Sequence, residues 1–159
     1  MKKKIIHTSI IIVLLLMIVL VTIYQKSQAP LFKAEERAIA LVKKKHQIKS
    51  VQNFYWFHSK KSYWTVEAID KKDQVFFSVI DTKNKHEKVY LETDILNEKE
   101  AKAITMDELK LTGKEVKEAR LGLIDNEPVW EVNYKKGASM GYYFLNAKSG
   151  QWIKHISNI

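Results

Sequence analysis

The chain has 159 residues, a formal net charge of +9 and no cysteine. That length suits one domain of ordinary size or two very small ones. The absence of cysteine excludes disulfides, zinc–thiolate sites, thiol nucleophiles and a thioether-linked lipid anchor. If the chain is exported, its folded part is therefore held together by packing alone.

The first thirty residues predict a membrane anchor. Three lysines at positions 2–4 precede an almost uninterrupted apolar run from Ile5 to Tyr24, close to the roughly 20 helical residues that cross a bilayer core. The lysines favour a cytoplasmic N-terminus, which places the rest of the chain outside. The expected organisation is a cytoplasmic stub at 1–4 and a transmembrane signal anchor at 5–25.

A cleaved signal peptide is the alternative for this segment, because Ser27-Gln28-Ala29 resembles a small-x-small cleavage site. Pro30 follows directly and disfavours cleavage there. The apolar run is also longer than the roughly 7–15 residues typical of a signal peptide. We therefore expect an uncleaved, single-pass anchor in the cell membrane.

Excess positive charge is confined to the membrane-proximal half of the outer part. Residues 30–92 carry 13 Lys and Arg against 8 Asp and Glu, whereas residues 93–159 carry 10 of each. A solvated surface near an anionic membrane explains this surplus, and attraction to anionic lipid head groups or wall polymers is the sharper alternative. Nucleic acid is not an expected partner outside the cell.

A faint internal repeat runs through the outer part of the chain. Its members recur 65 or 66 residues later. The matched pairs are Trp64 with Trp130, Val66 with Val132, Phe77 with Tyr142, Val79 with Phe144, and the turn 81–85 with 146–150. Upstream, 34–42 matches 97–105 as a short helix with alanines on one face. The alternative is a single domain in which this similarity is coincidental.

Each half has the pattern of a helix, a hairpin, a third strand, a turn and a last strand. The first half predicts a helix at 32–45 and strands at 48–57, 62–70, 74–81 and 85–91. The second predicts strands at 115–124, 128–135, 139–146 and 150–156, after a helix that Asn97 and Glu100 begin as a capping box. A helix on one face of a curled antiparallel sheet is an α+β unit, so the predicted fold class is α+β, with domains at 26–92 and 93–159.

With a lysine-led anchor and two helix-then-strands repeats, the chain resembles the TseB-like, or YpmB-type, proteins of Gram-positive bacteria. The second repeat is similar to a PepSY domain. The resemblance is carried by the segments NEKEA at 97–101, PVWEVNY at 128–134 and NAKSG at 146–150. Asn146 stands where PepSY domains commonly have aspartate, which puts any role of that carboxylate in doubt.

The resemblance implies a membrane-anchored extracytoplasmic protein with two cystatin-like or PepSY-like domains. It also implies a link to cell-wall elongation through a class B penicillin-binding transpeptidase.

The motifs of an enzyme are missing from the sequence. Four histidines, His46, His58, His86 and His155, fall in turns or at strand ends without metal-ligand spacing. No serine stands in a nucleophile motif, and the carboxylate pairs lie near helix starts or on helix faces, where acids in a first turn complement the helix dipole. We therefore predict a binding protein without catalytic residues, metal or cofactor.

Three kinds of binding remain open. The chain is predicted to regulate a membrane-bound cell-wall enzyme by protein–protein interaction. It could instead inhibit an extracytoplasmic protease, since PepSY-like domains resemble parts of protease propeptides, although the anchor argues against a releasable inhibitor. A third interpretation is a binder of anionic wall polymer or lipid through the basic first domain.

Residues 53–64, NFYWFHSKKSYW, carry more aromatic side chains than one face of a strand can hold. The offset of 66 residues aligns Tyr55 and Phe57 with Leu121 and Leu123 and predicts them as core. The expected partners in that core are Trp64, Val66, Ala68, Val75, Phe77 and Val79. The opposite face is expected to carry Phe54, Trp56, Tyr63 and Phe76. This second set either packs against the other repeat or binds a partner.

Overall fold

The computed structural model describes residues 2–158, with side chains from residue 12 onward. The elements in chain order are α1 (Lys2–Lys45), β1 (Ile48–His58), β2 (Ser62–Asp70), β3 (Val75–Asp81), β4 (Glu87–Leu91), α2 (Glu98–Leu109), β5 (Val116–Ile124), β6 (Glu127–Lys136), β7 (Ser139–Asn146) and β8 (Trp152–Ser157). Met1–Glu36 and Arg37–Ile159 form separate compact units, so both sheets belong to one unit. The side chains of the lysines at 2–4 and of His7 lie outside the described part.

Helix α1 is long and apolar enough to cross a membrane. From Ile12 to Ile23 its large apolar side chains are exposed, as expected for a helix whose surroundings are hydrocarbon rather than a protein core. The sequence predicted a spanning segment and then a separate helix from Phe32. Instead α1 continues through Pro30 without a break. Proline removes one backbone donor from the helix, but no glycine or turn motif beside it ends the helix.

Two antiparallel four-stranded sheets follow, with strand orders β1-β2-β3-β4 and β5-β6-β7-β8. Each sheet is a simple meander in which neighbours in sequence are neighbours in space. All eight predicted strands are present, and their ends agree with the prediction to within two residues. The α+β fold class is confirmed.

The predicted capping box begins helix α2. The Asn97 side-chain oxygen accepts the backbone N–H of Glu100 at 3.0 Å, and the Glu100 carboxylate accepts the N–H of Asn97 at 2.8 Å. These bonds satisfy two donors that have no partner inside the helix. Helix α1 has no such cap at its junction with the first sheet domain, because the chain enters already helical.

The two helices bury equivalent positions. Ala38 and Val42 of α1 are fully buried, and so are Ala101 and Thr105 of α2, which lie 63 residues further on. Small side chains at this spacing share one helix face and allow close approach to the sheet. This match, together with the identical strand orders, shows the repeat in three dimensions.

The turn after the third strand is also repeated. Asp81 accepts the backbone N–H of Lys83 at 2.8 Å, and Asn146 accepts the N–H of Lys148 at 2.9 Å. Both side chains use one oxygen to close an Asx-type turn. The amide of Asn146 therefore keeps the turn-forming role that an aspartate would have here.

The aromatic residues of the first sheet lie on faces that differ from those predicted. Trp56 pairs with Trp64, and Phe57 pairs with Tyr63, and paired residues share a face. One face, which we call the helix face because α1 covers it, carries Phe54, Trp56, Trp64, Val66, Ala68, Phe76 and Ile80. The other, which we call the seam face, carries Tyr55, Phe57, Tyr63, Thr65, Glu67, Phe77 and Val79.

Placing Trp64, Val66 and Ala68 with Tyr55 and Phe57 was therefore wrong. The tryptophans of the matched strands, Trp64 and Trp130, are equivalent, but their cross-strand partners are Trp56 and Leu121. Trp64 lies eight residues after Trp56, whereas Trp130 lies nine after Leu121. The first hairpin is thus one residue shorter between equivalent positions, and a slip of one residue exchanges the faces of a strand.

The seam face packs against the second sheet. The Thr65 hydroxyl donates to the Leu121 carbonyl at 2.7 Å, and the Tyr55 and Trp130 rings meet edge to face with centroids 5.3 Å apart. An added Cβ at Gly122 would overlap the Phe57 ring, so glycine permits this approach. The seam is therefore made by the aromatic residues that were predicted to face the first helix.

The Tyr55 hydroxyl ties the seam to α2, since it lies 2.8 Å from the Glu67 carboxylate and 3.0 Å from that of Glu98. Burial, and then the hydrogen bonds and charges of Glu67 and Glu98, raise the pKa of this phenol far above its ordinary value. Tyr55 thus keeps its proton and serves as a donor between the two sheet domains.

Candidate functional site

The four residues predicted to bind a partner divide into two exposed and two buried ones. Trp56 is 36% exposed and Phe54 is half-buried, so these two keep accessible surface. Tyr63 is 6% exposed and lies on the seam face, which corrects its predicted placement beside Trp56. Phe76 does share the helix face, but it is buried and its ring lies 5.3 Å from that of His46.

Trp56 sits near the tip of the β1–β2 hairpin. Its indole N–H donates to the Ser62 hydroxyl at 2.8 Å, which holds the ring in place while leaving part of it in solvent. The connecting residues 59–61 contribute Lys60 and Lys61. The tip thus combines a held aromatic ring with positive charge, a combination enriched where protein interfaces concentrate binding energy.

A cleft lies beneath the other side of this tip. It has a volume of about 280 Å³, and an adjoining groove that shares Ser59 and Lys154 has about 460 Å³. The cleft is lined by His58 and Ser59 of the hairpin and by Arg120, Glu131, Tyr142, Phe144, Lys154 and Ile156 of the second sheet. Its sheet residues lie on the side away from α2, which we call the outer face.

Glu131 is the buried carboxylate of this cleft. It is 6% exposed and lies 3.5 Å from the Arg120 guanidinium. Burial raises the pKa of Glu131 above its ordinary value, while the charges of Arg120 and Lys154 act against that rise. Lys154 also lies over the Phe144 ring at 4.1 Å from its centroid. A carboxylate with a shifted pKa in a cleft marks a candidate site.

The sequence did not identify this cleft. The alternation Trp130-Glu131-Val132 places Glu131 on the face opposite the core, which is the ordinary place for a solvated acid. The covering hairpin comes from residues more than 60 positions earlier, and nothing in the local pattern predicts it. Within residues 2–158, no group of three or more His, Asp or Glu is arranged to hold a metal ion.

Two family models match the chain. The model described as a cell wall elongation regulator TseB-like domain matches residues 37–79. The model described as a peptidase propeptide and YPEB domain, PepSY, matches residues 95–155. The first match covers the end of α1 and three strands of the first sheet, and the second covers α2 and its sheet.

One curated relative matches nearly the whole chain. The "Probable cell wall elongation regulator TseB" of Bacillus subtilis (strain 168) is 30% identical over 161 aligned residues, which cover 98% of each chain. The solved structure of the YpmB protein from Bacillus subtilis has a TM-score of 0.64 and 24% identity, covering 77% of this chain and 95% of that one. This likeness supports the same fold.

Proposed function

Because the chain belongs to the family of TseB-like cell wall elongation regulators, we propose that it regulates cell-wall elongation by binding a class B penicillin-binding transpeptidase. The observation that carries this proposal is the similarity to the named regulator across 98% of both chains. In this role the protein contributes a surface rather than a reaction. The order of anchor, first domain and PepSY domain would hold that surface close to the membrane.

We further propose the topology predicted from the sequence. A stub at 1–4 lies in the cytoplasm, residues 5–25 span the membrane, and two domains at 26–92 and 93–159 lie outside. The exposed apolar side chains of α1 support the anchor, and the lysines at positions 2–4 support its orientation.

Single cysteines test the topology directly, because the natural chain contains none. Lys72→Cys, in the turn after β2, should react with a membrane-impermeant maleimide in intact cells. Lys3→Cys should react only after the membrane is made permeable. Labelling of Lys3→Cys in intact cells would reverse the proposed orientation, and a shortened mature chain would show that the anchor is cleaved.

The proposed contact region is the β1–β2 hairpin. Trp56 and Phe54 offer accessible aromatic surface beside Lys60 and Lys61. Tyr63 and Phe76, which complete the set predicted from the sequence, are buried beneath this region and would act only by supporting it. A partner that covers the hairpin would bury one large aromatic anchor at its centre, where interface energy concentrates.

A matched pair of variants tests that region. Trp56→Ser should lower capture of the transpeptidase by at least about tenfold, when the full chain is crosslinked in intact cells from Lys60. Trp152→Ser removes a tryptophan that is 62% exposed on β8, and it should leave capture unchanged. Thermal unfolding of both variants serves as the control for folding.

Three outcomes would overturn the proposal. Equal capture by both variants would remove Trp56 from the interface. Retention of a protease alone would favour the inhibitor alternative. Capture that disappears in high salt for every variant alike would indicate attraction to an anionic polymer, because salt screens exposed charges.

A further inference from the structure

A second candidate site lies on the helix face of the first sheet, away from the hairpin cleft. A groove of about 310 Å³ separates the last turns of α1 from β2 and the turn after β3. It is lined by Arg37, Ala40, Leu41, Lys44, Trp64 and Lys85. Three of these six side chains are cationic, and none is acidic.

The cations of the groove are not neutralised within the protein. Among the described residues, Arg37, Lys44 and Lys85 have no carboxylate within 4.0 Å. Glu87, a buried acid of the same sheet, is already bound by Lys45 at 3.0 Å and His46 at 2.9 Å. Three positive charges without acidic partners around one groove attract a multivalent or polymeric anion.

Trp64 forms the aromatic wall of the groove and has an unsatisfied donor. The Lys85 ammonium lies 4.3 Å from the centroid of its ring and donates to the Thr82 carbonyl, which positions the charge without neutralising it. Within the described part of the chain, the Trp64 Nε1 atom is a buried side-chain donor without a hydrogen-bond partner. Such donors are rare in native proteins, and a bound ligand can supply the acceptor that the protein does not.

The second repeat shows that the fold itself does not require this arrangement. Its equivalent tryptophan, Trp130, donates from Nε1 to the Leu96 carbonyl at 2.7 Å. The position of Lys85 is taken by Gly150, against which Ile104 of α2 packs. The second repeat thus closes the same place with apolar side chains.

The charges at equivalent helix positions are reversed as well. With the helices aligned 63 residues apart, Arg37 corresponds to Glu100 and Lys44 to Asp107. Two copies of one structural unit therefore differ by two charge reversals and one added lysine at a single place. A general preference for a basic surface does not explain cations gathered around an unfilled groove.

We propose that this groove binds a phosphodiester, with Arg37, Lys44 and Lys85 pairing with its oxygens and Trp64 packing against the adjoining polyol. A phosphodiester of this kind occurs in anionic lipid head groups and in soluble glycerol phosphate polymers. This proposal does not depend on the transpeptidase interaction, since the two sites use different residues.

The test uses the full chain in nanodiscs and two probes. In the first arm the discs contain only phosphatidylcholine, and soluble poly(glycerol phosphate) is added. In the second arm one part of the lipid is phosphatidylglycerol and no polymer is added. Protection of the 37–44 and 82–86 backbone from hydrogen exchange is measured in both arms.

The decisive variant is Arg37→Gln with Lys44→Gln and Lys85→Gln. Its control is Lys71→Gln with Lys72→Gln and Lys83→Gln, which removes the same charge from exposed lysines of the same sheet. Ligand-dependent protection, or polymer affinity, should fall by about tenfold or more in the first triple variant and by less than about twofold in the second.

The arm that shows protection identifies the source of the phosphodiester. An equal loss in both triple variants would reduce the effect to general electrostatic attraction and overturn the proposal. So would the absence of protection in both arms for the natural chain. Capture of the transpeptidase should be unaffected by the first triple variant, which separates this site from the hairpin.

Discussion

The two repeats share strand order, helix position and turns, but the faces away from their helices meet different surroundings. In the first repeat the seam face, with Thr65 at its centre, packs against β5 of the second sheet. In the second repeat the equivalent outer face, with Glu131 at the position of Thr65, lines a cleft. One structural unit therefore supplies a sealed interface in one copy and an accessible surface in the other.

The comparison also separates the roles of the two tryptophans. Trp130 is fully buried, bonded through its indole, and in edge contact with Tyr55 and Phe77 across the seam. Trp64 is 7% exposed, unbonded, and beside a groove. The first is a structural centre of the outer unit, whereas the second has features of a ligand-facing residue.

The largest expected effect is on the free energy of unfolding of Trp130→Ala, which should fall by about 3–5 kcal/mol. Trp64→Ala should cost less, because its ring borders a groove and loses no hydrogen bond. Tryptophan-to-phenylalanine substitutions sharpen the contrast. At Trp130 the change also removes a hydrogen bond, worth about 1 kcal/mol, and at Trp64 it does not. Denaturant unfolding of the four variants measures both differences, and equal losses would contradict the distinction.

The seam gives the next largest effect. Gly122→Ala places a methyl group into the Phe57 ring and should destabilise the outer unit by about 1–3 kcal/mol. Gly113→Ala is the control, since an added Cβ there meets nothing within 4 Å. If Gly122→Ala unfolds like the control, the sheets do not pack closely at this point. Shortening the facing side chain in Gly122→Ala with Phe57→Leu should recover part of the loss.

The separate beginnings of the two helices predict a smaller effect. Asn97→Ala removes the cap of α2 and should cost about 1 kcal/mol. Asn97→Asp retains an acceptor and should be close to neutral. No comparable single-residue cap exists at the start of the first domain, because α1 enters it as a continuous helix. Thermal unfolding of the two variants checks the prediction, and an unchanged midpoint for Asn97→Ala would contradict it.

The smallest expected effect is a pH dependence at Glu131. Burial raises the pKa of Glu131 in the folded chain above its value in the unfolded chain. The folded state therefore holds this proton more tightly, and stability falls as the pH rises from the unfolded pKa through the folded one. Above that window the cost of the buried charge is complete.

Glu131→Gln should remove this part of the pH dependence. The variant should gain stability relative to the natural chain between pH 4 and pH 7, roughly the range above the ordinary glutamate pKa of about 4.3. Arg120 keeps a partner in the variant, because Glu118 lies 2.9 Å away. Denaturant unfolding at several pH values measures the difference. Parallel stability curves would show that Glu131 titrates normally.

Much of the fold follows from local patterns that are visible in the sequence. The Asn97–Glu100 box begins α2 as predicted, and Asp81 and Asn146 close the turns that their side chains favour. The eight strands follow from apolar alternation between turn residues. Each of these features depends on residues close together in the chain, which is why their positions were predicted to within two residues.

The candidate sites were predicted less well, because they depend on distant segments. Trp56 was expected to keep an accessible face, and it does, but Tyr63 was assigned to the wrong face by an alignment shifted by one residue. The cleft over Glu131 and the groove beside Trp64 each combine two segments far apart in sequence. Neither segment alone shows what will lie opposite it.

By itself, the sequence determined the elements, their order and the repeat, since helix and strand periodicity, caps and turns are local physical preferences. Only the tertiary structure decided what each face meets. Alternation divides a strand into two faces but does not say which faces a helix and which faces another sheet, and a difference of one residue in a hairpin exchanges them. The aromatic residues of β1 show this directly: Phe57 seals the seam while its neighbour Trp56 remains partly in solvent.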